Sequence, residues 1–261
     1  LCELGRRDEA EAPYREWIAR EPDNPVPQHM LTTIRPELRT GRATDAYVRR
    51  TFDSFAQTFD VHLRGLEYRA PQLVVEALQR ALDFVQIGAV LDAGCGTGLC
   101  GRLLRSLVHR LEGVDLSAGM LSQAREKGDY DELIEAELTQ FMSTRPARYD
   151  AITCADTLCY FGELAPVLAS AAIALRPGGC FVFTVEEASE EEAREPFCIR
   201  PSGRYAHTEG CLREAMAKAG LRAAAITRSW LRMESGRQVA GLIAVAERPL
   251  QQTEEKAGDR T

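Results

Sequence analysis

Two acidic residues and an alternating run of glycines stand where a ligand could bind. Asp92 ends an apolar run, and Gly94, Gly96 and Gly98 follow it at every second position. Glycine adopts a positive φ easily and lets the backbone approach a ligand that a Cβ would block. A carboxylate beside such a turn suits a ligand with hydroxyl groups and positive charge. Asp115 ends the next apolar run, where it could accept hydrogen bonds from both hydroxyls of a ribose.

The spacing of these glycines differs from the dinucleotide-binding fingerprint. That fingerprint, Gly-x-Gly-x-x-Gly, needs a helix N-terminus that is free to hold a pyrophosphate. In residues 92–98 the third glycine comes one residue early, and an acid precedes the turn where it would repel a diphosphate. No paired catalytic acid and base follow either. The pattern therefore disfavours an NAD-dependent dehydrogenase.

The residues around the turn predict a strand before it and a helix after it. Val90 and Leu91 are typical of a buried parallel strand, and leucines recur at helical spacing through residues 99–108. Open α/β sheets bind their ligands at the carboxyl ends of the strands. The turn is therefore expected at the binding edge of such a sheet.

Further alternation of strand and helix patterns follows along the chain. Residues 72–84 predict a core-facing helix, and Ser117 is a candidate helix N-cap. A Pro-Gly-Gly turn precedes the fifth predicted strand. After the first strand, a short strand is predicted from Leu111 to Asp115, a third near 134–138 and a fourth at 149–156. The fifth follows the turn within 175–185, and the last two lie around 221–229 and 238–246.

The segment 90–98, Val-Leu-Asp-Ala-Gly-Cys-Gly-Thr-Gly, resembles the first motif of class I S-adenosylmethionine (SAM)-dependent methyltransferases. The resemblance extends over residues 45–248. It implies an α/β fold with a Rossmann-like seven-stranded sheet, mostly parallel with an antiparallel last strand, and helices on both faces. It also implies SAM as cofactor, S-adenosylhomocysteine (SAH) as product, and in-line transfer of a methyl group to a small-molecule acceptor.

The resemblance also implies which residues hold the cofactor. Asp115 would bind the ribose, Glu137 would lie near the adenine amino group, and Arg69 would pair with the carboxylate of the methionine end. The alternatives are a strand-end turn for Asp115 and tight strand–helix packing for the glycines. Cys95 is expected as a small residue rather than a reactive thiol. The full expected set is Arg69, Asp92, Gly94, Cys95, Gly96, Asp115, Leu116, Met120, Glu137 and Leu138.

The acceptor end offers three candidate catalytic residues. Asp156 and Tyr160 follow the fourth predicted strand, and His207 precedes a helix. Each could orient or deprotonate an acceptor. A satisfied loop acid, a packed aromatic ring and a structural histidine are the alternatives. The segment 156–161 is not Asn-Pro-Pro-Tyr, which holds an amino group in related enzymes, so adenine or glutamine methylation is not expected.

Residues 41–86 carry a repeated Phe-Asp doublet, Phe52-Asp53 and Phe59-Asp60. This pattern resembles the helix that folds over the cofactor as a lid in many small-molecule methyltransferases, and most of all the predicted methyltransferases that carry tetratricopeptide repeats. Closure of a lid excludes water and aligns the reacting atoms. Packing of the aromatic rings on the core is the alternative.

Residues 1–40 are expected to form a separate helical unit. Gly5, Ala10, Tyr14, Trp17 and Pro22 are spaced as in the second half of a tetratricopeptide repeat. A single partial repeat cannot bury its own face. The unit would recruit a protein partner, support oligomerisation or pack on the core. The catalytic core is predicted at 87–250 and a disordered tail at 251–261.

Composition narrows the class of protein. The net charge is −7 and no Lys/Arg stripe is present, so no nucleic-acid partner is expected. No apolar run approaches the roughly 20 residues that cross a membrane. Eight cysteines occur without a Cys-x-x-Cys pair, which favours no metal site and a reducing, cytoplasmic location. A methyltransferase acting on proteins and a non-catalytic SAM-binding scaffold remain the alternatives to a small-molecule enzyme.

Overall fold

A mixed β-sheet with helices on both faces organises the chain. The computed structural model describes residues 7–83, 86–189, 191–192 and 197–250. The strands are β1 (Ile87–Ala93), β2 (Val108–Asp115), β3 (Glu132–Glu135), β4 (Tyr149–Cys154), β5 (Leu175–Glu187), β6 (Phe197–Ile199), β7 (Tyr205–His207), β8 (Arg222–Glu234) and β9 (Arg237–Glu247). The helices are α1 (Arg7–Arg20), α2 (Pro25–Thr32), α3 (Asp45–Phe55), α4 (Phe59–Gly65), α5 (Ala70–Ala81), α6 (Leu99–Leu104), α7 (Ala118–Lys127), α8 (Leu138–Ser143), α9 (Ala165–Ala174) and α10 (Glu209–Lys218).

Five parallel strands form the centre of the sheet in the order β3-β2-β1-β4-β5. β9 pairs with β5 in antiparallel fashion, and β8 pairs with β9. The predicted Rossmann-like α/β fold is confirmed. The predicted count of seven strands is wrong, because the described residues form a sheet of nine. The two extra strands are the antiparallel pair β6–β7, whose three residues each are too short to show alternation in the sequence.

The two faces of the sheet bury separate apolar clusters. On one face α5 packs Val74 and Leu78 near Val90 of β1, and all three side chains are fully buried. On the other face Leu168 of α9 belongs to the cluster that contains Leu91. Each such aliphatic side chain contributes roughly 1.5–3 kcal/mol on burial. This double cover fixes β1 in place and so sets the position of the turn that follows it.

The N-terminal helices rest on the core. α1 packs on α2, and the Nε2 atom of His29 in α2 lies 2.8 Å from the carbonyl oxygen of Gly203. The His29 ring also stacks on Tyr47 of α3, with 3.9 Å between the ring centroids. These contacts agree with packing on the core, and a tetratricopeptide repeat is not shown. Gly5 of the proposed repeat pattern and the predicted tail 251–261 lie outside the described residues.

Within the residues that the structure describes, no helix is long and apolar enough to cross a bilayer. The same ranges contain no cluster of three or more His, Cys, Asp or Glu side chains that could hold a metal ion.

Candidate active site

A cavity of about 270 Å³ lies at the carboxyl ends of β1, β2 and β4. The turns that follow these three strands line it from below. Helices α3 and α4 cover it from above with side chains that include Phe52 and Phe59. This edge of the sheet is where open α/β folds bind their ligands.

The three glycines of the first turn serve different purposes. All have positive φ: +73° at Gly94, +52° at Gly96 and +88° at Gly98. A Cβ on Gly94 would lie 2.3 Å from the Thr157 hydroxyl, and a Cβ on Gly98 would lie 3.0 Å from the Tyr130 ring. A Cβ on Gly96 would meet no protein atom within 4 Å. Gly96 therefore leaves open space beside the backbone of the turn, as a cradle for a ligand requires.

Asp115 stands at the end of β2 and faces the same cavity. One carboxylate oxygen accepts the Gly96 N–H at 2.8 Å, and the other accepts the Ser117 N–H at 2.9 Å. Burial raises the pKa of Asp115, and these backbone donors oppose the rise. Each oxygen keeps a further lone pair. The carboxylate is therefore held in one orientation with acceptor capacity left for two ligand hydroxyls.

Asp92 does not line the cavity, contrary to its expected contact with the cofactor. Its oxygens accept hydrogen bonds from the Tyr130 hydroxyl at 2.6 Å and the Thr153 hydroxyl at 3.0 Å. Burial raises the pKa of Asp92 to about 6, and these two hydrogen bonds limit the rise. Tyr130 also accepts the Gly101 N–H at 3.1 Å. Asp92 thus lies beneath the turn and supports it.

Four other residues of the expected cofactor set line the cavity: Cys95, Leu116, Met120 and Leu138. Burial raises the pKa of the Cys95 thiol well above its usual range, so this cysteine is a small packed residue. Glu137 also lines the cavity. Its carboxylate accepts the N–H groups of Thr139 and Gln140 at 3.0 and 2.8 Å and so caps α8.

Arg69 does not line the cavity, contrary to its expected pairing with a cofactor carboxylate. Its guanidinium carbon sits 4.3 Å from the centroid of the Trp230 ring. Its backbone N–H donates to the carbonyl oxygen of Leu231 at 2.8 Å. These contacts direct the side chain along β8, while the preceding residue, Tyr68, contributes to the cavity wall.

Asp156 lines the cavity, but its carboxylate is already engaged. The residue has a φ of +53°, and its two oxygens accept from Nη1 of Arg232 at 3.0 and 2.8 Å. Arg232, on β8, is only 3% exposed and also donates to Glu186. Burial opposes the charge of Arg232, yet Asp156 and Glu186 outweigh burial and raise its pKa. The Asp156 side chain is therefore held in place by a buried cation.

The remaining two catalytic candidates differ in position. Tyr160 lines the cavity and meets the Phe52 ring edge-on at 5.5 Å between centroids. Burial raises the pKa of Tyr160 well above its usual range, so the phenol stays protonated. It can orient an acceptor but is a poor base.

His207 does not line the cavity, contrary to its expected role as a base. The side chain is fully buried, away from the cavity lining, and its Nε2 lies 2.9 Å from the Gly162 carbonyl oxygen. Burial lowers the pKa of His207 to about 4. β7 places the imidazole inside the fold, where it cannot exchange a proton with an acceptor in the cavity.

Two arginines of the cavity wall, Arg204 and Arg232, do not stand out in the sequence. Arg204 donates through Nε to Glu186 at 2.7 Å and through Nη2 to Glu234. The sixth strand was expected to end at Ser229, so Arg232 belonged to no predicted element. β8 continues to Glu234 and so places Arg232 in the cavity wall. Only the length of this strand could have indicated the role of Arg232.

The doublet predicted to form a lid anchors α3 and α4 to the turns beneath them. Asp53 accepts the Ser117 hydroxyl and the Gly119 N–H, and Asp60 accepts the Thr97 hydroxyl at 2.5 Å. Lys127 also donates to Asp60 at 2.6 Å. Each aspartate therefore binds the floor of the cavity, while the phenylalanine before it lines the roof.

Comparison with known proteins bears on this site. Residues 90–179, which include the glycine turn, Asp115 and Asp156, match the family model described as a methyltransferase domain. The match supports the expected resemblance to class I SAM-dependent methyltransferases over this segment.

Relatives of the methyltransferase domain align over part of their length. The human methyltransferase-like protein 27 is 39% identical over 104 residues, which are 39% of this chain and 42% of that protein. The ubiquinone biosynthesis O-methyltransferase of Thiobacillus denitrificans is 34% identical over 102 residues, 36% of this chain and 43% of that protein. The chain thus spans less than half the length of these relatives.

A solved structure supports the fold over a longer range. The Burkholderia thailandensis 1,6-didemethyltoxoflavin-N1-methyltransferase superposes with a TM-score of 0.60 at 20% identity. The match covers 76% of this chain and 87% of that one. That structure contains 1,6-didemethyltoxoflavin and SAH.

Proposed function

We propose that this chain is a SAM-dependent methyltransferase that acts on a small-molecule acceptor. The observation that carries the proposal is the pairing of Gly96 with Asp115. The Gly96 N–H orients the Asp115 carboxylate, and the same glycine leaves open space beside the turn. A ribose hydroxyl pair and the methionine end of SAM fit these two features, and the family match covers both residues.

The other residues near this pair fit the rest of the cofactor. Leu116, Met120 and Leu138 line the cavity and supply apolar surface for the adenine ring. Glu137 lines this part of the cavity, but its carboxylate already caps α8. SAM supplies the electrophilic methyl group when it is bound. Orientation of two reactants in a closed cavity contributes about 7–11 kcal/mol to such a transfer.

A small acceptor is favoured because the cavity is covered. α3 and α4 close it from above, and their two aspartates bind the turns below. A polypeptide acceptor needs an open groove instead. The solved methyltransferase with bound 1,6-didemethyltoxoflavin and the ubiquinone biosynthesis O-methyltransferases support a small acceptor by analogy. Asp156 and Tyr160 are proposed to orient it.

We further propose that α2 supports the wall of the cavity from outside. His29 stacks on Tyr47, and the Tyr47 ring lies 6.4 Å from that of Tyr160 in the cavity. Helix α2 thereby supports an acceptor-facing residue. Recruitment of a protein partner through a tetratricopeptide-like surface is the alternative, as is a cytoplasmic scaffold that binds SAM without turnover.

Calorimetric titration with SAM, SAH and NAD tests the cofactor assignment. We expect SAM and SAH to bind in the micromolar range and NAD not to bind. Asp115→Ala should weaken SAH binding by about 1.5–3 kcal/mol, because it removes charge-assisted hydrogen bonds to the ribose. Unchanged affinity in this variant contradicts the ribose assignment. Binding of NAD alone overturns the proposed function, and SAM binding with no turnover over an acceptor panel favours the scaffold.

A further inference from the structure

The acceptor half of the cavity is defined here by Phe52, Asp156, Tyr160, Phe161, Arg204 and Arg232. Two of the three carboxylates that bind its cations lie behind the wall. Arg204 and Arg232 line the cavity, whereas Glu186 and Glu234, which bind them, are outside the lining. Asp156 is the one acid in this half, and both of its oxygens accept from Arg232. The inner surface of this half therefore carries two guanidinium groups and one carboxylate.

Arg204 keeps hydrogen-bond donors for a ligand. Its Nε and Nη2 atoms donate to Glu186 and Glu234. Its Nη1 makes no hydrogen bond to any residue that the structure describes, and Nη1 is not among the buried polar atoms that lack a partner. A guanidinium carries five N–H donors in a planar fork that matches the geometry of a carboxylate. Two donors on Nη1 are therefore accessible in a partly apolar site.

The rest of this half is aromatic. Phe52 and Tyr160 meet edge to face, and the Phe161 ring lies 5.8 Å from the guanidinium carbon of Arg42. Flat apolar surfaces of this kind favour a planar ligand body, because ring contacts add to the free energy of burial. The wall thus combines flat apolar surface with the accessible cationic fork of Arg204.

We propose that the acceptor is an aromatic carboxylate whose carboxyl group is bound by Nη1 of Arg204. This inference rests on the proposed function and names the substrate class of that site. The aromatic body lies against the Phe52 and Tyr160 rings, and Arg204 sets specificity without touching the methyl group. A neutral molecule of the same shape offers Nη1 no carboxylate to bind.

Benzoate and benzamide test the proposal because they share size and shape and differ in charge. The full chain is saturated with SAH, whose binding is measured first in the same sample. Each probe is then titrated, and binding is followed by NMR of the arginine side chains. We expect benzoate to bind about tenfold or more tightly than benzamide, which corresponds to one charge-assisted hydrogen bond.

Substitutions assign the preference to Arg204. Arg204→Gln should abolish the preference for benzoate and leave SAH affinity unchanged. Arg204→Lys keeps the charge without the fork and should keep part of the preference, so it carries the test if the glutamine variant does not fold. Arg80→Gln is the matched control, because Arg80 forms an exposed ion pair with Glu76 on α5.

Two sets of outcomes separate this inference from the proposed function. If SAH does not bind, the proposed function fails and the acceptor assignment fails with it. If SAH binds but benzoate and benzamide bind equally, or neither binds, the carboxylate assignment alone is overturned. A preference that persists in Arg204→Gln also overturns it.

Discussion

Asp53 and Ser117 are joined by a hydrogen bond of 2.5 Å between the Asp53 carboxylate and the Ser117 hydroxyl. The first residue belongs to α3 above the cavity, and the second caps α7 below it. The same carboxylate oxygen accepts the Gly119 N–H at 3.1 Å. Movement of α3 away from α7 would therefore break at least two hydrogen bonds at this one residue.

Asp53→Asn should accelerate dissociation of SAH. The amide keeps an acceptor but loses the charge that strengthens both hydrogen bonds, so we expect a loss of about 1 kcal/mol, roughly fivefold in rate. Stopped-flow displacement of SAH measures the rate. Glu76→Gln, on the exposed face of α5, serves as control. Equal rates in Asp53→Asn and the unaltered chain would show that this contact does not hold the lid.

Gly96→Ala should abolish SAH binding while it leaves the fold intact. The added methyl group meets no protein atom within 4 Å, so it occupies only the space left for the ligand. Gly128→Ala is a close control, because Gly128 has a φ of +71° and equally open surroundings at the end of α7. Both variants should lose about 1 kcal/mol of stability from backbone strain. Retained SAH affinity in Gly96→Ala would contradict our description of the turn.

Asp92→Asn should change how stability depends on pH. Because the folded pKa of Asp92 is raised to about 6, its contribution to stability is fully present below the ordinary value near 3.8 and declines as pH rises to about 6. The decline amounts to about 3 kcal/mol at 1.36 kcal/mol per pKa unit. Urea unfolding at pH 4 and pH 7 measures it. The unfolding free energy of the variant minus that of the unaltered chain should be larger at pH 7 than at pH 4.

His207→Gln should leave the pH profile of methyl transfer unchanged. The folded pKa of about 4 lies below the ordinary value of 6.5, so the neutral imidazole contributes stability above pH 6.5 that is lost as pH falls towards 4. In the glutamine variant this pH-dependent loss of about 3 kcal/mol in the free energy of unfolding should be absent. Initial rates and urea unfolding across pH 4–8 check both statements. A profile that loses a limb near neutral pH in the variant would restore His207 as a base.

The sequence is sufficient to predict which residues line the floor of the cavity because its signals are local. Gly94 and Gly96 lie in the turn after β1 and Asp115 ends β2, and parallel strands bring their carboxyl ends to one edge. The roles of neighbouring residues depend on more distant contacts. Asp92 lies beneath the turn because Tyr130, 38 positions later, donates to it. No local pattern reports that partner.

The acceptor half is less predictable for the same reason. Asp156 was a candidate base, but Arg232, 76 positions later, occupies both of its oxygens. His207 was a candidate because of its residue type, and the short strand β7 buries it. Arg69 followed a lid motif, yet the Trp230 ring on β8 holds its side chain. In each case a contact between residues far apart in the chain determined the outcome.

The composition of the cavity wall has a consequence for how this protein could diversify. The floor that holds Asp115 and Gly96 lies within residues 90–179, the segment that relatives share. Of the six residues that define the proposed acceptor half, Phe52, Arg204 and Arg232 lie outside it. Changes in the segments that flank the matched region can therefore alter this half of the cavity while the floor with Asp115 and Gly96 stays the same.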